Sequence, residues 1–144
     1  MAIKKDMFDS FRHDWKTAFS RRSGHFLNKT TLSSMQFTHL APGHIPCGAG
    51  VESAVQIFSF KLTEVKGGFK FPLSVYGVVA ARDAVDYNRN HLFFCDRNNC
   101  QKLTQDDPYL RLIGPSRAVK FEDHVNYEVQ LMVKGSMKSN QQAR

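Results

Sequence analysis

The sequence has no run of about 18 apolar residues, so no helix within it is expected to span a bilayer. It also lacks the short apolar stretch behind a basic start that marks a secretory leader. Three aspartates among the first 14 residues (Asp6, Asp9, Asp14) disagree with the acid-poor composition of a transit peptide. Cysteine is scarce: Cys47, Cys95 and Cys100. An odd count without a leader reads as reduced thiols, and the expected location is cytoplasmic or nuclear. Asn28-Lys29-Thr30 is then a chance match to the glycosylation pattern. Missing too are the short motifs that carry chemistry. The six histidines form no HxxxH or HExxH, and there is no phosphate-binding loop, GxGxxG or GxSxG. These absences argue against zinc proteases, nucleotide-binding loops and nucleophile-elbow hydrolases, and no cofactor is expected.

What is present is an ordinary globular composition with an unusual load of phenylalanine, 12 residues against one Trp and four Tyr. At 144 residues, 42% apolar and 23% charged, the chain is large enough for a real core. The formal net charge is +7. Residues 1–30 carry seven Lys or Arg against three Asp, so the excess is concentrated in the N-terminal arm. Such an arm attracts nucleic acid or an anionic membrane surface without specificity, or is simply a solvated surface.

Ile3, Met7, Phe8, Phe11, Trp15, Ala18 and Phe19 recur every three or four positions, which predicts an amphipathic helix over residues 1–23 that stops near Ser23-Gly24. Its apolar stripe either docks on the rest of the chain or lies on a membrane or in a partner's groove. Residues 24–53, with Pro42-Gly43, Ile45-Pro46 and Gly48-Ala49-Gly50, read as a connector that Met35, Phe37 and Leu40 pin down in part. From Ala54 the period changes to two. Phe58, Phe60 and Leu62 form one face of a first strand, and Lys66-Gly67-Gly68 turns the chain. Phe71–Ala81 is apolar on both sides, as in a central, doubly covered strand. Further strands are expected at His91–Asp96, Tyr109–Ile113, Ala118–Phe121 and Asn126–Lys134, with polar loops at 82–90 and 97–107. In the last strand Tyr127, Val129, Leu131 and Val133 alternate with Glu128, Gln130 and Lys134. The fold class is therefore mainly β, an antiparallel sandwich or partly open barrel of about six strands over residues 54–135, preceded by one N-terminal amphipathic helix. The polar tail, 136–144, is expected to be disordered.

Three groups of residues have the composition of a site. His44, Cys47, Cys95 and Cys100 are the ligand types of a structural zinc, although Cys95 and Cys100 are spaced awkwardly, and each cysteine can equally be a small buried apolar residue. Arg82, Asp83, Asp86, Asn88 and Arg89 form the densest polar cluster. Asp83 and Asp86 are three apart, as an acid and base of a hydrolase require, and the same residues also suit a loop of charge pairs and Asx turns. Lys61, Lys66 and Lys70 interleave with Phe60, Phe69 and Phe71, a pattern that holds phosphates and stacks bases, or that places phenylalanines in a core.

Several stretches, in order and spacing, resemble one family: Gln56–Gly68, Phe71–Asp83, Asp86–Asn90, Leu103–Leu110, Gly114–Ala118 and Tyr127–Gly135. They are similar to a plant domain of unknown function expanded in cereal grasses, over about residues 30–135. The resemblance implies a β-rich domain with no agreed catalytic residues and a role in stress or defence. It also implies an association with ribosome-inactivating rRNA N-glycosidases. Their Glu-x-x-Arg pair is absent here, since Glu52, Glu64, Glu122 and Glu128 are followed three places on by Val55, Gly67, Val125 and Leu131. Family members continue for about as many residues again, so the chain resembles the N-terminal half, with an open strand edge that invites a partner or a second copy. The expected function is a non-catalytic interaction module for a protein partner. The alternative is an RNA- or ribosome-associated protein.

Overall fold

The computed structural model describes residues 2–31, 53–64, 67–122 and 124–135, with the side chains of 2–6 set aside. Among these, α1 (Ala2–Ser23) precedes β1 (Ala54–Val55), β2 (Leu73–Arg82), β3 (Asn90–Cys95), a single 3-10 turn (Arg97–Asn99), β4 (Gln101–Leu103), β5 (Val119–Lys120) and β6 (Asn126–Val133). The protein is mainly β with an N-terminal helix. Its strands form two antiparallel sheets, with no closed barrel among the described residues. The chain divides into two compact units. The first combines residues 1–55, 82–90 and 116–126; the second combines 56–81, 91–115 and 127–144.

In the first unit, α1 docks its aromatic stripe, as the first of its two expected roles requires. Phe8, Phe11, Trp15 and Phe19 share one helical face. Phe26, just past the helix, is 2% exposed and receives the ring edges of Phe8, Phe11 and Trp15 at centroid distances of 6.0, 6.0 and 5.3 Å. Met7 and Ala18, expected in the stripe, are exposed. Gly24 ends the helix at φ +82°, its N–H donating to the Ser20 carbonyl, a left-handed closure that glycine adopts without strain. Arg21 and Arg22 occupy the last turn, where cations suit the helix dipole. β1 and β5 pair in the register Ala54↔Lys120 and Val55↔Val119.

In the second unit, β2 is the hub. It pairs with β3, β4 and β6, and with β4 in the register Leu73↔Leu103, Ser74↔Lys102, Val75↔Gln101. Val78 to Ala81 are buried on both faces, the double coverage that the continuous apolar run predicts. β6 runs so close that a Cβ on Gly77 would lie 1.9 Å from the Gln130 carbonyl oxygen, and Gly77 has φ +127°. Only glycine fits there.

Four expectations need correction. The strand expected from Ala54 to Leu62 breaks: it pairs with β5 only at Ala54–Val55 and next pairs at Phe60–Leu62, with Pro108–Leu110. Alternation shows which residues can form a strand, but a ladder exists only where a neighbour supplies donors and acceptors, and Phe58 between the two pairings is 83% exposed. The polar segment 97–107 holds the short strand β4, which is too short to show a period and is set by pairing to the start of β2. The strand expected at Tyr109–Ile113 reduces to a single bridge, Lys61↔Tyr109. In β6 the expected faces are reversed at its start, where Glu128 is 4% exposed and Tyr127 and Val129 are 43% and 45% exposed, and hold toward its end, where Leu131 and Val133 are half-buried and Met132 and Lys134 exposed.

Candidate functional site

The polar cluster at 82–90 is a network inside the first unit. β2 delivers Arg82, and the turn that follows carries Asp83, Asp86, Asn88 and Arg89. The Arg117 guanidinium donates to both Asp83 oxygens at 2.7 Å and to Asp86 Oδ1 at 3.0 Å. Asp83 also accepts the backbone N–H of Lys120 at 2.7 Å and of Val85 at 3.2 Å. Burial pushes the Asp83 carboxyl up, but the Arg117 and backbone donors outweigh it and hold it below the usual carboxylate range. Burial also works against the Arg117 charge, and the two aspartates more than restore it. Asp86 further accepts the Thr30 hydroxyl and the Asn88 N–H, and its own carbonyl takes the Ser23 hydroxyl at 2.6 Å.

Arg82 is 1% exposed. It donates to the carbonyls of Tyr87 and Phe26 and lies 4.2 Å over the Phe26 ring and 5.2 Å over Trp15. The Tyr87 carbonyl also accepts the Trp15 indole N–H at 2.8 Å. Tyr87 sits at φ 56° and stacks on Phe19, with centroids 3.8 Å apart. Arg89 packs its guanidinium 5.7 Å from the Phe26 centroid, and its backbone forms a parallel bridge with Lys29. Buried Asn90 donates to the Arg117 carbonyl and accepts the Ser116 N–H. The two carboxylates, read from the sequence either as an acid and base or as part of a loop of charge pairs and Asx turns, share one guanidinium. Sequence reasoning missed Arg117, which lies 34 residues from Asp83; it stood only as part of the motif Gly114–Ala118. It also missed Phe26 as the platform under the arginines.

Beside this network lies a cleft of about 550 Å³, lined by Arg22, Ser23, Asn28, Lys29, Thr31, Asp86 and Asn88. Of the polar cluster named from the sequence, Asp86 and Asn88 border it.

In the second unit Lys61 and Lys70 lie in different settings. Lys61 lies over the Tyr109 ring at 5.8 Å. Lys70 instead joins Phe69, Pro72, Leu73, Ser74, Val133, Lys134 and Gly135 around a groove of about 360 Å³. Lys66 lies outside the described residues, as do His44 and Cys47. Cys95 and Cys100 are free thiols. Burial, with Cys100 and Asp96 nearby, pushes the Cys95 thiol up, away from the thiolate that a metal needs. Among the described residues no three His, Cys, Asp or Glu gather as a metal site, and no helix is long and apolar enough to cross a membrane.

A family model, the domain of unknown function DUF6598, matches residues 54–143, and the chain belongs to that family. No curated protein and no solved structure matches the chain.

Proposed function

We propose that this member of the DUF6598 family is a non-catalytic interaction module that binds a protein partner through β6 in its second unit. The observation that carries the reading is the reversed start of β6. Tyr127 and Val129, on one face of the strand, are 43% and 45% exposed while Glu128 between them is buried, so this end of the strand turns apolar side chains to solvent. Apolar side chains grouped on a strand are the usual material of a contact surface. The non-catalytic half of the reading is supported by Asp83 and Asp86, whose charge is committed to Arg117. The grass-domain resemblance adds a setting in stress or defence. A photocrosslinking residue at Tyr127 or Val129 in living cells tests the proposal. A discrete adduct from these positions, absent when the probe replaces exposed Lys16, is expected. No discrete adduct, or the same adducts from Lys16, would count against it.

A second reading, RNA association, is favoured by the groove at Phe69, Lys70 and Lys134. Phe69 is 46% exposed beside two ammonium groups, a half-exposed ring for a base and cations for phosphates. Affinity for single-stranded RNA should fall steeply with salt, and Lys70→Gln with Lys134→Gln should lower both affinity and salt slope. Unchanged binding in that double variant removes the groove from consideration.

A further inference from the structure

The edges of the sheet in the second unit are finished differently. β4 pairs with Leu73–Val75 of β2, and β6 reaches the same stretch, where Lys134 donates its N–H to the Ser74 carbonyl. The two strands therefore flank β2 on opposite sides. Residues 109–113 cover β3 and β4. Ile113 donates its N–H to the Leu92 carbonyl at 2.8 Å, and the Gln101 side chain donates to the Tyr109 carbonyl at 2.9 Å and accepts the Arg111 N–H at 2.8 Å. On the far side, β6 pairs with β2 alone among the described residues.

The direction of the β6 backbone shows what this edge offers. The Lys134 N–H and the Gln130 carbonyl both point at β2. Backbone direction alternates along a strand, so Tyr127, Val129, Leu131 and Val133 turn their N–H and C=O groups away from β2, and no described backbone segment pairs with them. Exposed edges are commonly blocked by a charge, a proline or a bulge. These four residues include no charge and no proline, and their side chains share one face.

The order of residues in the strand suits a second copy of itself. Antiparallel pairing about a two-fold axis at Gln130 sets Tyr127 opposite Val133 and Val129 opposite Leu131, each pair exchanging both backbone hydrogen bonds. On the other face Glu128 meets Met132, and Lys134 meets Asn126. Apolar side chains thus meet apolar ones, and no like charges are opposed. Moving the axis to Glu128 would set two carboxylates against each other. We infer that β6 pairs with the β6 of a second copy of this chain, making one sheet continuous across a two-fold dimer. This rests on the reading of β6 as a contact strand and names its partner. A strand pair buries less than the roughly 1,200–2,000 Å² of a stable interface, so the dimer dissociates on the order of tens of micromolar.

Sedimentation equilibrium of the full chain from about 1 μM to about 1 mM tests the inference, with the mass rising from one chain toward two over that range. Val129→Pro deletes one outward donor without touching the ladder to β2, and Val129→Lys, at an exposed side chain, sets a charge against the second copy's Leu131. Each should weaken dimerisation by about 10-fold or more, and the lysine variant should keep the circular dichroism spectrum of the parent. Amide exchange at Val129 and Leu131 should be about 5-fold slower at about 1 mM than at about 20 μM, because these N–H groups are bonded only in the dimer. A monomer throughout, a dimer that survives both variants, or exchange at Val129 and Leu131 that ignores concentration would each overturn the inference. A monomer that still gives a discrete crosslinked adduct with a different protein would overturn the dimer and leave the contact strand standing. A crosslinked product of two chains supports both.

Discussion

The first unit buries Thr30, Arg82, Asp83, Arg89, Asn90 and Arg117, and among fully buried apolar side chains it has Trp15, Phe26 and Val119. The second buries Leu73, Val75, Val78 to Ala81, Leu92, Phe93, Leu103 and Leu110, with Glu128 its one buried charged residue among those described. The first is held by directional contacts between segments far apart in the chain: a helix, a turn and an arginine 34 residues away. The second is held by a central strand whose apolar side chains need only be covered. The two kinds of interior fail differently. A buried charge that loses its partner is penalised by desolvation, whereas an apolar strand fails when its neighbours can no longer approach.

The sharpest way to break this comparison is at Gly77. Gly77→Ala places a methyl on the Gln130 carbonyl at a φ that L-residues rarely adopt. We expect a loss of about 4 kcal/mol or more, in the class of backbone-strain and overpacking mutations. Amide hydrogen exchange should show lost protection along β2 and β6. If the first unit loses protection equally, the two interiors are one cooperative structure.

Next in size is Arg117→Ala, which strands Asp83 in the interior. Breaking a buried pair from one side costs about 3–5 kcal/mol. Exchange protection should fall first at Asp86–Asn90 and in the last turns of α1. Asp83→Asn and Asp86→Asn combined with Arg117→Met remove all three charges and keep acceptors for the Lys120 and Asn88 N–H groups. The triple variant should recover about 2 kcal/mol, because much of the single-mutant cost is unpaired charge. A triple variant no better than Arg117→Ala would mean that the ion pairs themselves, not the avoidance of lone charges, stabilise the unit.

A smaller effect should appear on acidification. The folded Asp83 carboxyl lies below its unfolded value of 3.8. Its contribution is therefore fully present above the unfolded value and is lost as the pH falls through the folded one. First-unit protection should thus decline below about pH 4, the ordinary carboxylate range, and the decline should be shallower in Asp83→Asn. Equal slopes in both proteins would assign the acid sensitivity to other groups.

The same contrast explains what the sequence revealed. Apolar periodicity placed α1 to within a few residues, identified β2 as a doubly covered strand and located β3, β5 and β6, because burial is written locally along a helix or strand. It could not say which strands pair, so it ran one strand through Gln56–Ser59 and missed β4, whose place depends on β2. The cluster at 82–90 was visible as composition, but its meaning was not. Whether Asp83 and Asp86 are an acid and base or two ligands of one arginine depends on where Arg117 lies, and nothing near either segment encodes that distance. The cleft was hidden for the same reason, since Arg22, Lys29 and Asn88 meet only after α1 docks and Lys29 pairs with Arg89.

The smallest expected effect on stability is the most informative about function. Alternation in β6 predicts that Tyr127 and Val129 are core, and the structure turns them outward. Tyr127→Ser and Val129→Thr together should therefore change the unfolding free energy by no more than about 0.5 kcal/mol each, the range of ordinary surface substitutions. Core positions of this kind would lose about 2–5 kcal/mol. A small change leaves the strand's apolar side chains without a structural task in the isolated chain, which is what a contact surface requires. A large change, read as a drop in denaturant midpoint at constant slope, would mean that these side chains are buried in solution. The apolar surface would then belong to the protein's own interior, and the proposed partner site would lose its support.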